Sequence, residues 1–299
     1  MDHDTDHAPD HVLTDDDVLI ACRATSATDL AAHDPRTTFG WDKDVAKDRF
    51  DDVIADVDHL QQRLYAEGER AVLMVLQGID AGGKGGTIRS VMNQLNPSGV
   101  SVHGFGVPSE EERAHDFLWR IHAHTPEAGT IAVFDRSHYE DVLVVRVKGL
   151  APEPVWRRRY EHIRNFERLL DDEGTTVVKF FLNVSRDEQR ERLQDRIDDP
   201  EERWKFRKGD LDDRALWDEY QTAFEAALRE TSTDAAPWYV VPGDRKWVRT
   251  WSSRWRCGTI SPRSAPSTRP PRTTSPGSSS VTEPSRRDGR PSRTRPADR

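Results

Sequence analysis

The chain has 299 residues, 35% hydrophobic and 32% charged, with a net charge of −9, enough to bury one sizeable core or two small ones and unlike a collagenous or wholly disordered chain. No run of about 18 apolar residues occurs, and the Asp/His-rich start carries neither a basic nor an apolar leader segment, so membrane insertion and secretion are not expected and a cytoplasmic location is. Cys22 and Cys257 lie far apart and outside any C-x-x-C spacing, which excludes a disulfide framework and a cysteine-built zinc site.

The charge is unevenly divided. Twelve arginines against three acids give residues 249–299 a charge of +9, which leaves −18 on residues 1–248. A body this acidic argues against wholesale nucleic-acid binding, so any polyanion must find a local basic cleft. Residues 1–28, rich in Asp and His without periodicity, read as a mobile acidic arm in which nothing fixes the histidines for metal capture. Val45, Phe50, Val53, Ile54, Val57, Leu60 and Leu64 recur at helical spacing, predicting an amphipathic helix over 44–65.

Five apolar runs follow, at 71–76, 100–105, 130–134, 176–182 and 238–241, each able to form a buried strand. Helical stretches separate them: one from Lys84, one over 109–122, one over 155–170 and one over 185–197, with Ser109 and Ser185 as N-caps. Strands alternating with helices imply right-handed crossovers. The expected fold class is α/β, a three-layer α/β/α sandwich around a mostly parallel five-stranded sheet, with sites at the carboxyl ends of the strands.

The first strand runs into Gly78-Ile79-Asp80-Ala81-Gly82-Gly83-Lys84-Gly85-Gly86-Thr87, a G-x-x-x-x-G-K loop in strand, loop, helix context. Gly82, Gly83, Gly85 and Gly86 let backbone N–H groups turn inward around phosphate oxygens, the helix N-terminus adds partial positive charge, and Lys84 supplies a mobile cation. A purely structural glycine turn would need neither the lysine nor the buried strand before it. The Ser or Thr that normally follows the lysine and holds Mg2+ is Gly85. Asp80 offers a metal-directed oxygen instead, with Thr87 a weaker candidate; the alternative is that the Asp80 carboxylate merely caps loop N–H groups.

The third strand ends in Phe134-Asp135-Arg136-Ser137. An acid at the tip of a buried strand beside a phosphate loop suits a Mg2+ ligand or nucleophile-orienting carboxylate, and Arg136 would reach across the cleft to a transferring phosphoryl group. Alone, the triplet reads equally as a strand-end turn.

In combination these segments resemble the polyphosphate kinase 2 family from about residue 29 to 249. The matches include residues 30–37, Pro108-Ser109-Glu110-Glu111, Asn165-Phe166-Glu167, Lys179-Phe180-Phe181-Leu182, Arg196-Ile197-Asp198-Asp199-Pro200, Trp204-Lys205-Phe206 and Ala236-Pro237-Trp238. The resemblance implies a P-loop kinase-like fold with a helical lid over about 186–210. It implies Mg2+-dependent phosphoryl transfer between inorganic polyphosphate and nucleotides such as AMP and ADP. It assigns phosphate binding to Lys84, the loop glycines and Thr87, metal binding to Asp80 and Asp135, and the phosphoryl group in flight to Arg136. Arg192, Arg196, Lys205 and Arg207 would belong to the lid. A homodimer or homotetramer is implied as well, and the subgroup most alike acts on both nucleoside mono- and diphosphates; there Asp often stands where this chain has Gly85, and Asn can stand at Asp135.

A basic lid also makes physical sense. Phosphoryl transfer depends on positioning and charge, and water must be excluded from the donor. An ATP-dependent nucleoside monophosphate kinase on the same fold and a catalytically impaired phosphate-binding protein are the alternatives. From Thr250 onward, eleven Ser and eight Pro replace every earlier pattern, which reads as a disordered basic tail. A reading-frame slip is the second reading, since stepping back one nucleotide can yield an amphipathic Asn-Leu-Val-Val-Ala-Val-Ala-Leu run. Trp251, Trp255 and Cys257 would then have no function.

Overall fold

The computed structural model describes residues 13–93 and 95–249. The expected tail over 250–299 and the first twelve residues of the expected arm lie outside the described residues. In chain order the elements are α1 (Asp15–Cys22), α2 (Lys43–Glu67), β1 (Ala71–Gln77), α3 (Lys84–Met92), β2 (Val100–Gly104), α4 (Glu110–Ala114), α5 (Trp119–His122) and β3 (Ile131–Asp135). They continue with α6 (Val144–Val147), α7 (Glu153–Asp172), β4 (Thr175–Asn183), α8 (Arg186–Asp198), α9 (Lys208–Ala215), α10 (Trp217–Thr231) and β5 (Trp238–Pro242).

The five strands form one sheet in the order β2-β3-β1-β4-β5, and every pairing is parallel. Central β1 is buried along its whole length, as an unbroken apolar run between two helical layers requires. Its alternation divides the core. Leu73 and Val75 face α7 and α10 through Ile163, Phe166, Phe224 and Leu228. Val72, Met74 and Leu76 face α1, α2 and α3 through Val18, Val57, Ile88 and Val91. The result is the three-layer α/β/α sandwich expected. Parallel register also brings the carboxyl ends of β1 and β3 together, pairing Leu76 with Asp135.

Several elements differ from the sequence reading: α6, α9 and α10 are not among the expected helices, and β2, expected as a buried strand, lies at the sheet edge and is largely exposed, with Val102 51% exposed. The helix expected over 109–122 is broken into α4 and α5. Ser109 caps α4 with a reciprocal box, its hydroxyl accepting from Glu112 N at 3.1 Å and its N–H donating to Glu112 Oε2 at 2.6 Å, but Asp116 accepts from Leu118 N at 2.9 Å and starts a fresh turn. Residues 13–28 are not part of a mobile arm. Thr14 caps α1 with a capping box to Asp17, Asp15 to Asp17 occupy its first turn where the helix dipole favours anions, and Val18 and Cys22 are buried. Leu13 N donates to Phe39 O, Trp41 Nε1 to Leu13 O, and Arg23 bridges antiparallel to Tyr239.

This docking predicts that Val18→Asp, which puts an unpaired carboxylate at a position 3% exposed, lowers stability by about 3 kcal/mol. Chemical denaturation would measure it, and an unchanged midpoint would mean that α1 is not docked.

Candidate active site

The turn leaving β1 is set by backbone bonds of its own. Gly82 N donates to Ile79 O at 2.9 Å and Thr87 N to Gly83 O at 3.0 Å, so the loop closes and α3 begins at Lys84. Gly83, the N-cap of α3, has φ +100°, and a Cβ there would meet Arg249 Nη1 at 2.2 Å. The positive φ itself favours glycine, and the Arg249 guanidinium would have to shift to admit a Cβ. Gly85 faces open space, whereas Arg249 also overlies Gly86. The buried Lys84 ammonium donates to Gly78 O at 2.7 Å and Ile79 O at 3.3 Å, and lies 4.0 Å from Asp80 Oδ1. The Thr87 hydroxyl donates to Gly83 O at 3.2 Å, which commits it to the loop backbone.

Asp80 is the hub of the charge arrangement. Its Oδ1 accepts from Arg136 Nη2 at 2.5 Å, and among the described residues its side chain takes no hydrogen bond from a loop N–H, contrary to the capping alternative. Burial pushes the Asp80 carboxyl up, but Lys84 and Arg136 outweigh it and hold its pKa below the ordinary carboxylate value. At Arg136 burial opposes the charge, and Asp80 and Glu140 more than offset it, so the guanidinium pKa rises above its ordinary value. Asp135, at the end of β3, adds to that field, and its carbonyl accepts from Phe105 N at 3.0 Å. Arg136 and Ala81 both have φ +63°, a conformation that costs energy for a side chain bearing a Cβ and clusters at functional sites. Asp80, Arg136, Glu140, Asp213 and Tyr220 line a cavity of about 40 Å³ beside the loop.

These residues fit a magnesium ion of the kind that leans on substrate. Mg2+ usually takes one or two carboxylates and completes its shell with phosphate oxygens and water. Asp80 is an ionised hard-oxygen donor, and no group of three or more His, Cys, Asp or Glu able to hold a metal occurs among the described residues.

The four expected lid cations separate into different roles. Arg192 is a brace: Nη1 donates to Ala81 O and Gly82 O, Nη2 to Gly243 O and Asp244 O, and Nε to Glu188. Its guanidinium ties the loop to the turn after β5. Arg196 lies 3.6 Å from Asp210 and its charge helps lower the Asp80 pKa. The Arg207 N–H donates to Asp210 Oδ2 at 3.3 Å at the start of α9. Lys205 pairs with Glu202 and lies beside the ring of exposed Trp204.

Sequence reasoning missed Gln189 and Arg249. Gln189 Nε2 donates to Asp80 O at 3.0 Å, and a lone glutamine in a charged helix carries no signal. Arg249, 5% exposed against the loop, opens the anomalous basic segment and is masked by it. Burial, then Arg192, lowers its pKa to about 10, so it stays protonated at neutral pH. From this packing, Gly83→Ala is expected to cut turnover at least about 100-fold and to lower the melting temperature, while Gly85→Ala leaves the melting temperature unchanged. Equal effects of the two substitutions on thermal unfolding and rate would refute the geometry.

Comparison with known proteins agrees with this geometry. The family model for polyphosphate kinase 2 matches residues 40–254. An AMP/ADP-polyphosphate phosphotransferase of Meiothermus ruber is 63% identical over 195 residues, covering 65% of this chain and 73% of that protein. An ADP-polyphosphate phosphotransferase of Rhodopseudomonas palustris is 49% identical over 199 residues, covering 62% and 69%. The crystal structure of polyphosphate kinase 2 from Arthrobacter aurescens superposes with a TM-score of 0.76 at 43% identity, covering 79% of this chain and 86% of that one. With a glycine-rich strand-to-helix loop, an acid–arginine turn beside it, a family model over residues 40–254 and these relatives, the chain belongs to the polyphosphate kinase 2 family.

Proposed function

We propose that this protein is a polyphosphate:nucleotide phosphotransferase that carries AMP to ADP and ADP to ATP with Mg2+. The observation that carries the reading is the 63% identity to a protein named for both acceptors. The charge arrangement supports it. A terminal phosphate oxygen of the nucleotide attacks the end phosphorus of polyphosphate in line, and the bond to the bridging oxygen breaks, so the nucleotide gains one phosphoryl group and the chain loses one. Lys84 and the inward N–H groups of the loop hold the donor, and Arg136 turns from Asp80 onto the phosphoryl group as charge spreads over it. Bound by Asp80 and Asp135, a magnesium ion would offset the charge of the phosphate oxygens. Releasing Arg136 and loading Asp80 are thus linked, because one carboxylate serves both partners.

The lid in this proposal is the segment beyond Arg192. The first half of α8 is held to the loop by Gln189 and Arg192, so closure would carry Arg196, Lys205 and Arg207 while Arg192 stays in place. Assembly as a homodimer or homotetramer, a cytoplasmic location and a lack of nucleic-acid partners belong to the same reading. Among the described residues no helix is long and apolar enough to cross a membrane.

Incubation with polyphosphate, Mg2+ and AMP, followed by chromatography, is expected to yield ADP first and ATP later in one vessel. Lys84→Ala should reduce both steps at least about 100-fold. Conversion of ADP with AMP untouched would limit the enzyme to diphosphates, and activity with ATP but not polyphosphate as donor would make it a nucleoside monophosphate kinase.

A further inference from the structure

A fully buried ionic network lies behind the Arg136 turn. Lys179, in the middle of β4, is 0% exposed and Glu167, on α7, is 1% exposed. Lys179 Nζ donates to Glu167 Oε2 at 2.5 Å, to Tyr139 Oη at 2.9 Å and to Thr231 O at 2.8 Å. Tyr139 Oη donates to Glu167 Oε1 at 2.8 Å, and His138 Nε2 lies 3.3 Å from the same oxygen. Trp238 Nε1 donates to Thr231 Oγ1, itself 2.9 Å from Tyr139 Oη.

Stability does not account for an ion pair at this depth. Two charges in an apolar core lose hydration that their attraction only partly returns, and an apolar pair of the same volume often does as well. What the pair does provide is direction: besides the bond to Thr231 O, its hydrogen bonds go to His138 and Tyr139, two and three residues beyond Arg136. The turn between is short and pinned. Arg136 N donates to Leu76 O at 3.1 Å, Tyr139 N donates to Ser137 Oγ at 3.2 Å, and the Gln77 amide lies 3.2 Å from the same hydroxyl. Arg136 itself is held at φ +63°, a conformation that persists only where its surroundings enforce it. α7, β4, α10 and β5 therefore converge on one hydroxyl that fixes the far side of the turn.

We propose that Lys179 and Glu167 are positioning residues for phosphoryl transfer: through Tyr139 and His138 they lock the turn that aims Arg136. This rests on the reading above, in which Arg136 acts on the transferred phosphoryl group. Glu167 suits the task, since Lys179 and His138 outweigh the upward push of burial and keep its carboxyl below the ordinary carboxylate value. A fixed ionic clamp narrows the arcs available to the turn, and a misplacement of about 1 Å in a reacting group can cost 100-fold in rate.

Tyr139→Phe removes the linking oxygen and keeps the ring, and its effect should be measured in the full-length protein alone and together with Arg136→Ala. The expected result is a folded Tyr139→Phe enzyme with turnover about tenfold down, KM for polyphosphate and ADP within about twofold of wild type, and no further loss when Arg136 is already Ala. Should Tyr139→Phe not fold, Glu167→Gln goes through the same cycle with the same expectation. An impaired Arg136→Ala enzyme in which the second substitution costs the same factor as in wild type overturns the inference alone. An effect confined to KM, or no loss in wild type, does so too. Wild-type turnover in Arg136→Ala overturns the functional reading and the inference with it.

Discussion

The site depends on one carboxylate shared between two cations. Asp80 leaves the central strand by way of the phosphate loop, and its Oδ1 lies 2.5 Å from Arg136 and 4.0 Å from Lys84. A buried acid alone would drift toward its neutral form; these cations keep it charged. The same carboxylate holds the Arg136 guanidinium inward through their hydrogen bond. In the proposed reaction a polyanionic donor would compete for both cations, and binding it would free Asp80 for a metal while charge balance is maintained. Asp80 and Arg136, 56 residues apart in sequence, meet here, and the charge of Arg196 reaches the same carboxylate.

The scaffold makes the exchange possible by fixing where each partner starts. Parallel register sets Asp135 beside the end of β1, and the backbone of Arg136 is tied to Leu76. Arg192 clamps the loop to the turn after β5 with four carbonyl bonds. Fixed partners reduce what must be reorganised when charge moves, and that is where electrostatic catalysis gains most.

Much of this was legible in the amino acids. Apolar runs locate the parallel strands, and all five expected strands formed within a residue or two of their expected limits, but edge strand β2 is largely exposed rather than buried. The loop spacing located Lys84 and Asp80. Less legible were features whose meaning depends on distant partners. The acids of α1 resembled a solvated run because Phe39, Trp41 and Tyr239, which receive that segment, lie elsewhere in the chain. The carbonyl partners of Arg192, in the phosphate-loop segment and in the turn after β5, lie far from it in sequence and leave no mark on it. Lys179, flanked by Val177, Val178, Phe180 and Phe181, declares itself odd in a strand, but only the fold supplies Glu167. Asp116 broke the expected helix over 109–122 through a local bond that competes with helix continuation.

The sharing of Asp80 is tested most directly by the Mg2+ dependence of turnover in Asp80→Asn, an isosteric change that removes the charge and keeps the shape. With polyphosphate and ADP saturating, the substituted enzyme should remain folded and require at least about tenfold more Mg2+ for half-maximal rate. A Mg2+ titration that superimposes on that of the wild type would contradict the account and return Asp80 to a role within the loop alone.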